Sequence, residues 1–228
     1  MWQNLNVIKL RSIIRKTGLT KLIGKVLAKK DYEMLFEKAL LTNLKDTDIV
    51  FDIGANRGFY TQKFALKATE GTVYAFEPIP YCYNIVNSLK KQFTNIEVYQ
   101  MAIGSKKDKV PMSIGKDDLN ATSAIKDVKE ENDVMVEVDT IDNVVTEKKI
   151  TPNFIKLDVE GFELDVLKGM SGTLQSKELK FIAIDVHFAL LENYGYKNAP
   201  KQICEILEKN NFKISWIDAS HVICKRGK

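Results

Sequence analysis

The stretch VFDIGANRGFY, residues 50–60, places a short apolar run ending in a carboxylate directly before a turn that contains two glycines. The run suits a buried strand, and Tyr60 to Ala68 suits the helix that follows it. Gly54 and Gly58 let the backbone turn sharply and come close to a ligand. The unpaired N–H groups that open the helix form an electropositive end, fitted to a carboxylate or a phosphate. A dinucleotide fingerprint would need glycine at positions 56 and 59, where this chain has Asn56 and Phe59. A pyrophosphate is therefore disfavoured as the ligand.

Beyond this turn the chain alternates. Short apolar runs (IVFDIG, VYAFEP, IEVYQMAIG, FIKLDVEG and FIAIDVH) are separated by helical stretches at Tyr60 to Ala68, Tyr81 to Phe93 and Glu163 to Lys168. That alternation predicts parallel strands joined by crossover helices, an α/β doubly wound sheet with helices on both faces. Pro200 to Asn210 reads as a further helix, and FKISWI with HVICK as a C-terminal antiparallel hairpin. Residues Lys106 to Glu137, rich in Lys, Asp, Asn and Ser, read as a long insertion over the carboxyl edge of the sheet, with one short strand at Val134 to Val138. A helix is expected over Asp31 to Leu41, capped by Asp31.

The 228 residues, 45% of them hydrophobic, suffice for one α/β domain with a buried core. We divide them into a basic helical extension, 1–47, and the main domain, 48–228. Residues 1–30 hold eight basic side chains and no acid, which leaves 26 basic against 30 acidic in the remaining 198, a net of −4 beside the overall +4. Apolar residues in this head recur at near-helical spacing (Leu5, Ile8, Ile13, Ile14, Leu19, Leu22, Ile23, Val26, Leu27), with a break at Thr17-Gly18 and a cap at Thr20. One or two basic amphipathic helices result. They can pack on the domain, bind an acidic partner or lie on an anionic membrane. No run approaches the roughly 20 apolar residues of a membrane span, so a cytoplasmic protein, peripheral to a membrane if the head attaches to one, is expected. Cys82, Cys204 and Cys224 are odd in number and widely spaced, which argues against a disulfide framework or a zinc knuckle.

In a doubly wound sheet, ligands bind outside the carboxyl ends of the strands near the switch point. Glu77 ends the second strand, where a carboxylate can accept hydrogen bonds from both ribose hydroxyls of a nucleoside. With the Gly54–Gly58 turn, it favours a nucleoside with a carboxylated, cationic tail over NAD. Lys156 and Asp158 lie two apart, hence on one strand face, and a buried lysine needs a partner, for which Asp158 is the nearest choice in sequence. Asp185 and His187 end FIAIDVH, expected one strand spacing away. Four titratable groups then converge on one edge. They could remove a proton from a hydroxyl directly. Alternatively, Asp158, Glu160 and Asp185 could hold Mg²⁺ and so make that hydroxyl more acidic.

The motifs D-x-G-A-N-x-G at Asp52 to Gly58, Glu77-Pro78, A-x-G at Ala102 to Gly104 and K-x-D-V-E-G at Lys156 to Gly161 together resemble the FkbM family of S-adenosylmethionine-dependent methyltransferases. The similarity runs from about Asp48 to His187. It implies a Rossmann-like seven-stranded methyltransferase sheet, S-adenosylmethionine as donor, and O-methylation of a sugar, glycan or other small-molecule hydroxyl. Asp52, Gly54, Asn56 and Gly58 would line the methionine end of the donor. Glu77 would hold its ribose, and Met101-Ala102 would lie beside adenine. Asp158, Glu160, Lys156 and His187 form the catalytic set. One departure is Asp185-Val186-His187, where members commonly carry a glutamate before the histidine. Two other functions remain open, a nucleic-acid (RNA) methyltransferase and a non-catalytic nucleoside-binding module. The first is disfavoured because DVEG stands where amino-methylating nucleic-acid enzymes carry Asn/Asp-Pro-Pro-aromatic.

Overall fold

The computed structural model describes residues 5–16, 29–113, 124–125 and 133–227. Among the described residues two helices come first, α1 (Leu5–Lys16) and α2 (Lys29–Asn43). The alternating part follows: β1 (Ile49–Ile53), α3 (Phe59–Lys67), β2 (Thr72–Phe76), α4 (Pro80–Ser88) and β3 (Ile96–Tyr99). Next come β4 (Ala102–Ile103), β5 (Asp108–Ser113), β6 (Ala124–Ile125), β7 (Asp133–Asp139) and α5 (Ile141–Lys148). The remainder is β8 (Phe154–Leu157), α6 (Glu163–Lys168), β9 (Phe181–Asp185), α7 (Phe188–Asn193), α8 (Ala199–Lys209), β10 (Phe212–Trp216) and β11 (His221–Arg226).

Seven strands form one sheet in the order β10-β11-β9-β8-β1-β2-β3. The neighbours from β9 to β3 pair parallel, and β11 runs antiparallel to both β9 and β10. This is the doubly wound sheet that the alternation predicts, with the seven strands that the resemblance implies. The strands carry apolar residues on both faces because both are covered. On one face Phe51, Ile53, Ile155 and Leu157 pack with Leu164 and Leu167 of α6 and Ile203 and Leu207 of α8. On the other, Val50, Val73, Phe154 and Ala183 pack with Phe64 of α3 and with Phe36 and Leu40 of α2. The helix at 29–43, read as part of an extension, thus contributes directly to the core.

The region 106–137 differs from its reading as an irregular insertion with a single strand. Among the described residues four strands make a second sheet, in the order β4-β7-β5-β6. The run IEVYQMAIG is divided between the sheets, with β3 at the edge of the large one and β4 pairing parallel with β7. The strand β5 was hidden by its composition. Met112 is buried against Ile79, Ala102, Val136 and Val138, while Lys109 on the outside pairs with Glu137 across the ladder, so only alternate positions carry the apolar signal. The expected break at Thr17-Gly18 and cap at Thr20, with the head's apolar positions from Leu19 to Leu27, fall outside the described residues. Among those residues no helix is long and apolar enough to cross a membrane.

Candidate active site

The turn after β1 lies at the carboxyl edge of the sheet, where β1 sits between β2 and β8. Gly54 has φ 78°, Asn56 φ 51° and Gly58 φ 80°, a conformation that favours glycine at the two ends of the turn. A Cβ on Gly54 would stand 1.8 Å from the carbonyl oxygen of Asp158, so glycine is what lets this turn press against the end of β8. Glu77, buried just beyond β2, accepts hydrogen bonds from the Asn56 N–H to Oε2 (2.8 Å) and the Ile79 N–H to Oε1 (2.9 Å). Burial pushes this carboxyl up to about 7, against the opposing pull of the two N–H groups. A cleft opens here at the carboxyl edge of the sheet. Gly54, Asn56, Glu77, Met101 and Ala102 line it, as do Asp158 and Glu160. Met112 of β5 also lines it, a contribution of the second sheet that sequence reading missed. Asp52 and Gly58 lie outside the lining.

Asp52 is fully buried beneath the turn, and the register explains its partner. Asp52 of β1 stands directly opposite Lys156 of β8, and both side chains project to the face covered by α3. Lys156 Nζ lies 3.1 Å from Asp52 Oδ1, 3.0 Å from the Gly54 carbonyl and 3.6 Å from Asp158 Oδ2. The nearest carboxylate to Lys156 is therefore Asp52, not Asp158 as the sequence spacing suggested. Thr61 Oγ1 donates to Asp52 Oδ2 at 2.6 Å, and the Tyr60 ring lies 5.3 Å from Lys156 Nζ. Burial alone would make the ammonium give up its proton more readily, but Asp52 and Asp158 hold it above the ordinary lysine range. Lys156 thus joins the glycine turn to Asp158 through one buried charge.

His187 caps α7, just past the end of β9. Its Nδ1 is 2.7 Å from Glu163 Oε1, and its Nε2 faces Glu160 Oε2 at 3.4 Å and Asp158 Oδ1 and Asp185 Oδ2 at 3.7 Å each. Burial opposes the charged ring, yet the Glu163 bond and the surrounding carboxylates push His187 up to about 10. At neutral pH it is an imidazolium, a charge partner rather than a base. Burial raises the Glu160 carboxyl above its ordinary range. Asp185 is lowered despite its burial, through His221 and His187.

The cluster includes residues that the sequence did not single out. Glu163, fully buried at the first position of α6, accepts from the Gly161 N–H at 3.0 Å with the same oxygen that meets His187. Its sequence position resembles that of any acidic residue in a first helical turn, so nothing local marked it. His221 stacks on Phe36 at 4.2 Å and lies 2.7 Å from Asp218 Oδ2 and 3.5 Å from Asp185 Oδ2, which links the hairpin to the cluster. For a metal, the ligand atoms of Asp158, Asp185 and His187 come within 4.8 Å of one another among the described residues. The sequence reading had Glu160 in place of His187.

A profile described as the methyltransferase FkbM domain matches residues 52–214, most of the chain. The chain belongs to the FkbM methyltransferase family. This FkbM domain is 28% identical over 151 residues to the hexuronic acid methyltransferase AglP of Haloferax volcanii, covering 66% of this chain and 60% of AglP. It is 25% identical to the methyltransferase sdnD of Sordaria araneosa over 85% of each chain. A crystal structure of the methyltransferase FkbM from Methylobacillus flagellatus KT shares the fold with a TM-score of 0.57 at 18% identity, over 79% of this chain and 44% of that one. The chain thus spans less than two thirds of AglP and less than half of the M. flagellatus protein. The matched region is thus a methyltransferase FkbM domain.

Proposed function

We propose that the protein moves the methyl group of S-adenosylmethionine onto a hydroxyl of a sugar, glycan or related small molecule. The observation that carries this reading is the position of Asp158. Asp158 lines the cleft, and its other neighbours are the lysine that braces the glycine turn and the histidine at the end of β9. The name of AglP, a hexuronic acid methyltransferase, supports a sugar as acceptor. In this reading Asp52, Gly54, Asn56 and Gly58 shape the methionine end of the donor site, Glu77 accepts from the ribose, and Met101 and Ala102 flank adenine.

The acceptor oxygen must lie in line with the sulfonium methyl and lose its proton as the C–O bond forms. Asp158 takes that proton, and Glu160 stands next to it as the second carboxylate. The products are a methyl ether, the neutral thioether of the spent donor and a protonated carboxyl group. His187, already charged, holds the carboxylates in place, and Lys156 keeps Asp158 anchored to the donor turn. A second reading rests on the Asp158, Asp185 and His187 grouping, which could hold a divalent cation that displaces the His187 proton and acidifies the hydroxyl.

The test uses isotope-labelled S-adenosylmethionine with a panel of hexuronic acids and their glycosides, followed by mass spectrometry of the products. Label on a sugar oxygen is expected. Asp158→Asn should keep donor affinity and lose about 100-fold or more in turnover, the scale of general-base catalysis. Near-normal turnover in that variant would remove Asp158 from the mechanism. Loss of activity with chelator, restored by Mg²⁺, would select the cation reading.

A further inference from the structure

Helix α1 carries chemistry that methyl transfer does not use. On its outer side Lys9, Leu10 and Ile13 are exposed, with Leu10 55% and Ile13 60% accessible. Positions 9, 10 and 13 fall on one helical face, so two branched apolar side chains and a cation share a single stripe. The composition of this segment is one-sided, for residues 1–30 contain eight Lys and Arg and no Asp or Glu. Elsewhere the exposed Met34 and Leu35 of α2 sit beside Glu33 and Glu37, which leaves them without such a bias.

The helix is also placed with respect to the site. Ser12 Oγ donates to Glu192 Oε1 at 2.6 Å, so α1 rests against α7. His187 caps the start of α7, and the five residues to Glu192 span about 8 Å at 1.5 Å per residue. Whatever α1 binds is therefore near the catalytic edge.

We propose that the α1 face lies on an anionic lipid surface. Leu10 and Ile13 would enter the boundary between headgroups and acyl chains, and the surrounding cations would meet the lipid charges. The attachment brings the carboxyl edge near His187 close to headgroup level. Charge complementarity alone would also suit RNA. The exposed aliphatic pair decides against it, since branched alkyl groups gain from leaving water for acyl chains and provide no stacking surface for bases.

The experiment is co-sedimentation of the full chain with vesicles of phosphatidylcholine containing about 30% phosphatidylglycerol, against pure phosphatidylcholine, at low and at about 0.5 M salt. Binding to the anionic vesicles only, weakened by salt, is expected. Leu10→Glu with Ile13→Glu should lower the apparent affinity about tenfold or more, and Lys9→Glu less, with S-adenosylmethionine binding unchanged in both. Because vesicle binding is read without turnover, its outcome is independent of whether the acceptor is a sugar. Equal binding to both vesicle types, no binding to either, or indifference to Leu10→Glu with Ile13→Glu would overturn the proposal. So would binding to RNA that anionic vesicles fail to compete away.

Discussion

Replacing Glu77 by Gln gives the sharpest test of the donor site. Each carboxylate oxygen already accepts one backbone N–H, from Asn56 or Ile79, and each keeps a second lone-pair direction for a ribose hydroxyl. Glutamine retains one acceptor oxygen but turns an N–H₂ toward the other backbone donor and the other hydroxyl. Loss of a charge-assisted contact costs about 1.5 to 3 kcal/mol, so the dissociation constant for S-adenosylmethionine should rise roughly 10- to 150-fold. The wild type supplies an internal control. With the Glu77 carboxyl near 7 and only its ionised form binding, affinity at about pH 6 should be about tenfold below that at about pH 8. That dependence should vanish in Glu77→Gln, because the amide does not titrate. The same raised value makes Glu77 favour folding at acid pH, a contribution present below about 4.5 and lost as pH rises through about 7. Titration calorimetry across this window measures the affinities directly. A variant that binds the donor within threefold of wild type, or a wild-type affinity flat across the window, would refute the assignment of Glu77 to the ribose.

Gly54→Ala should destabilise the fold by more than about 2 kcal/mol in urea unfolding, because its Cβ meets the Asp158 carbonyl at 1.8 Å in a backbone conformation that side chains avoid. Lys156→Met should cost about 3 to 5 kcal/mol by leaving Asp52 buried and uncompensated, and Asp52→Asn in the same chain should recover part of it; strictly additive losses would argue against the coupling. His187 has its folded value raised to about 10 from about 6.5, so its stabilisation is full below about 6.5 and disappears as pH rises through about 10. The stability gap between wild type and His187→Gln should accordingly shrink over that range, and the ring resonances of His187 should titrate near its top.

The sequence alone determined those features that follow from local geometry. Two glycines spaced around Asn56 after a buried run specify a strand, a tight turn and a helix start, because glycine readily adopts positive φ and a strand end is where the turn must form. The alternation of short apolar runs with helical stretches specified the parallel sheet, and the resemblance in four motifs specified the family. The residues that end these runs, Glu77, Asp158, Asp185 and His187, were legible as candidates because strand ends at a carboxyl edge are where such sheets bind ligands.

Only the tertiary structure decided how those residues pair. Lys156 prefers Asp52 to Asp158 because register sets the two opposite each other on adjacent strands, and no spacing along the chain encodes register between β1 and β8. Glu163 reaches His187 because α6 and the end of β9 fold toward one another, and His187 is charged because four carboxylates meet around one ring and outweigh the burial that opposes its charge. The strand β5, and with it Met112 in the cleft wall, escaped detection because a ladder with one solvated face spreads its apolar signal over alternate residues only. Periodicity and sterics act over a few residues and can be read from them. Charge state and partner choice depend on groups dozens of residues apart, whose interaction strengthens only when folding removes the water between them.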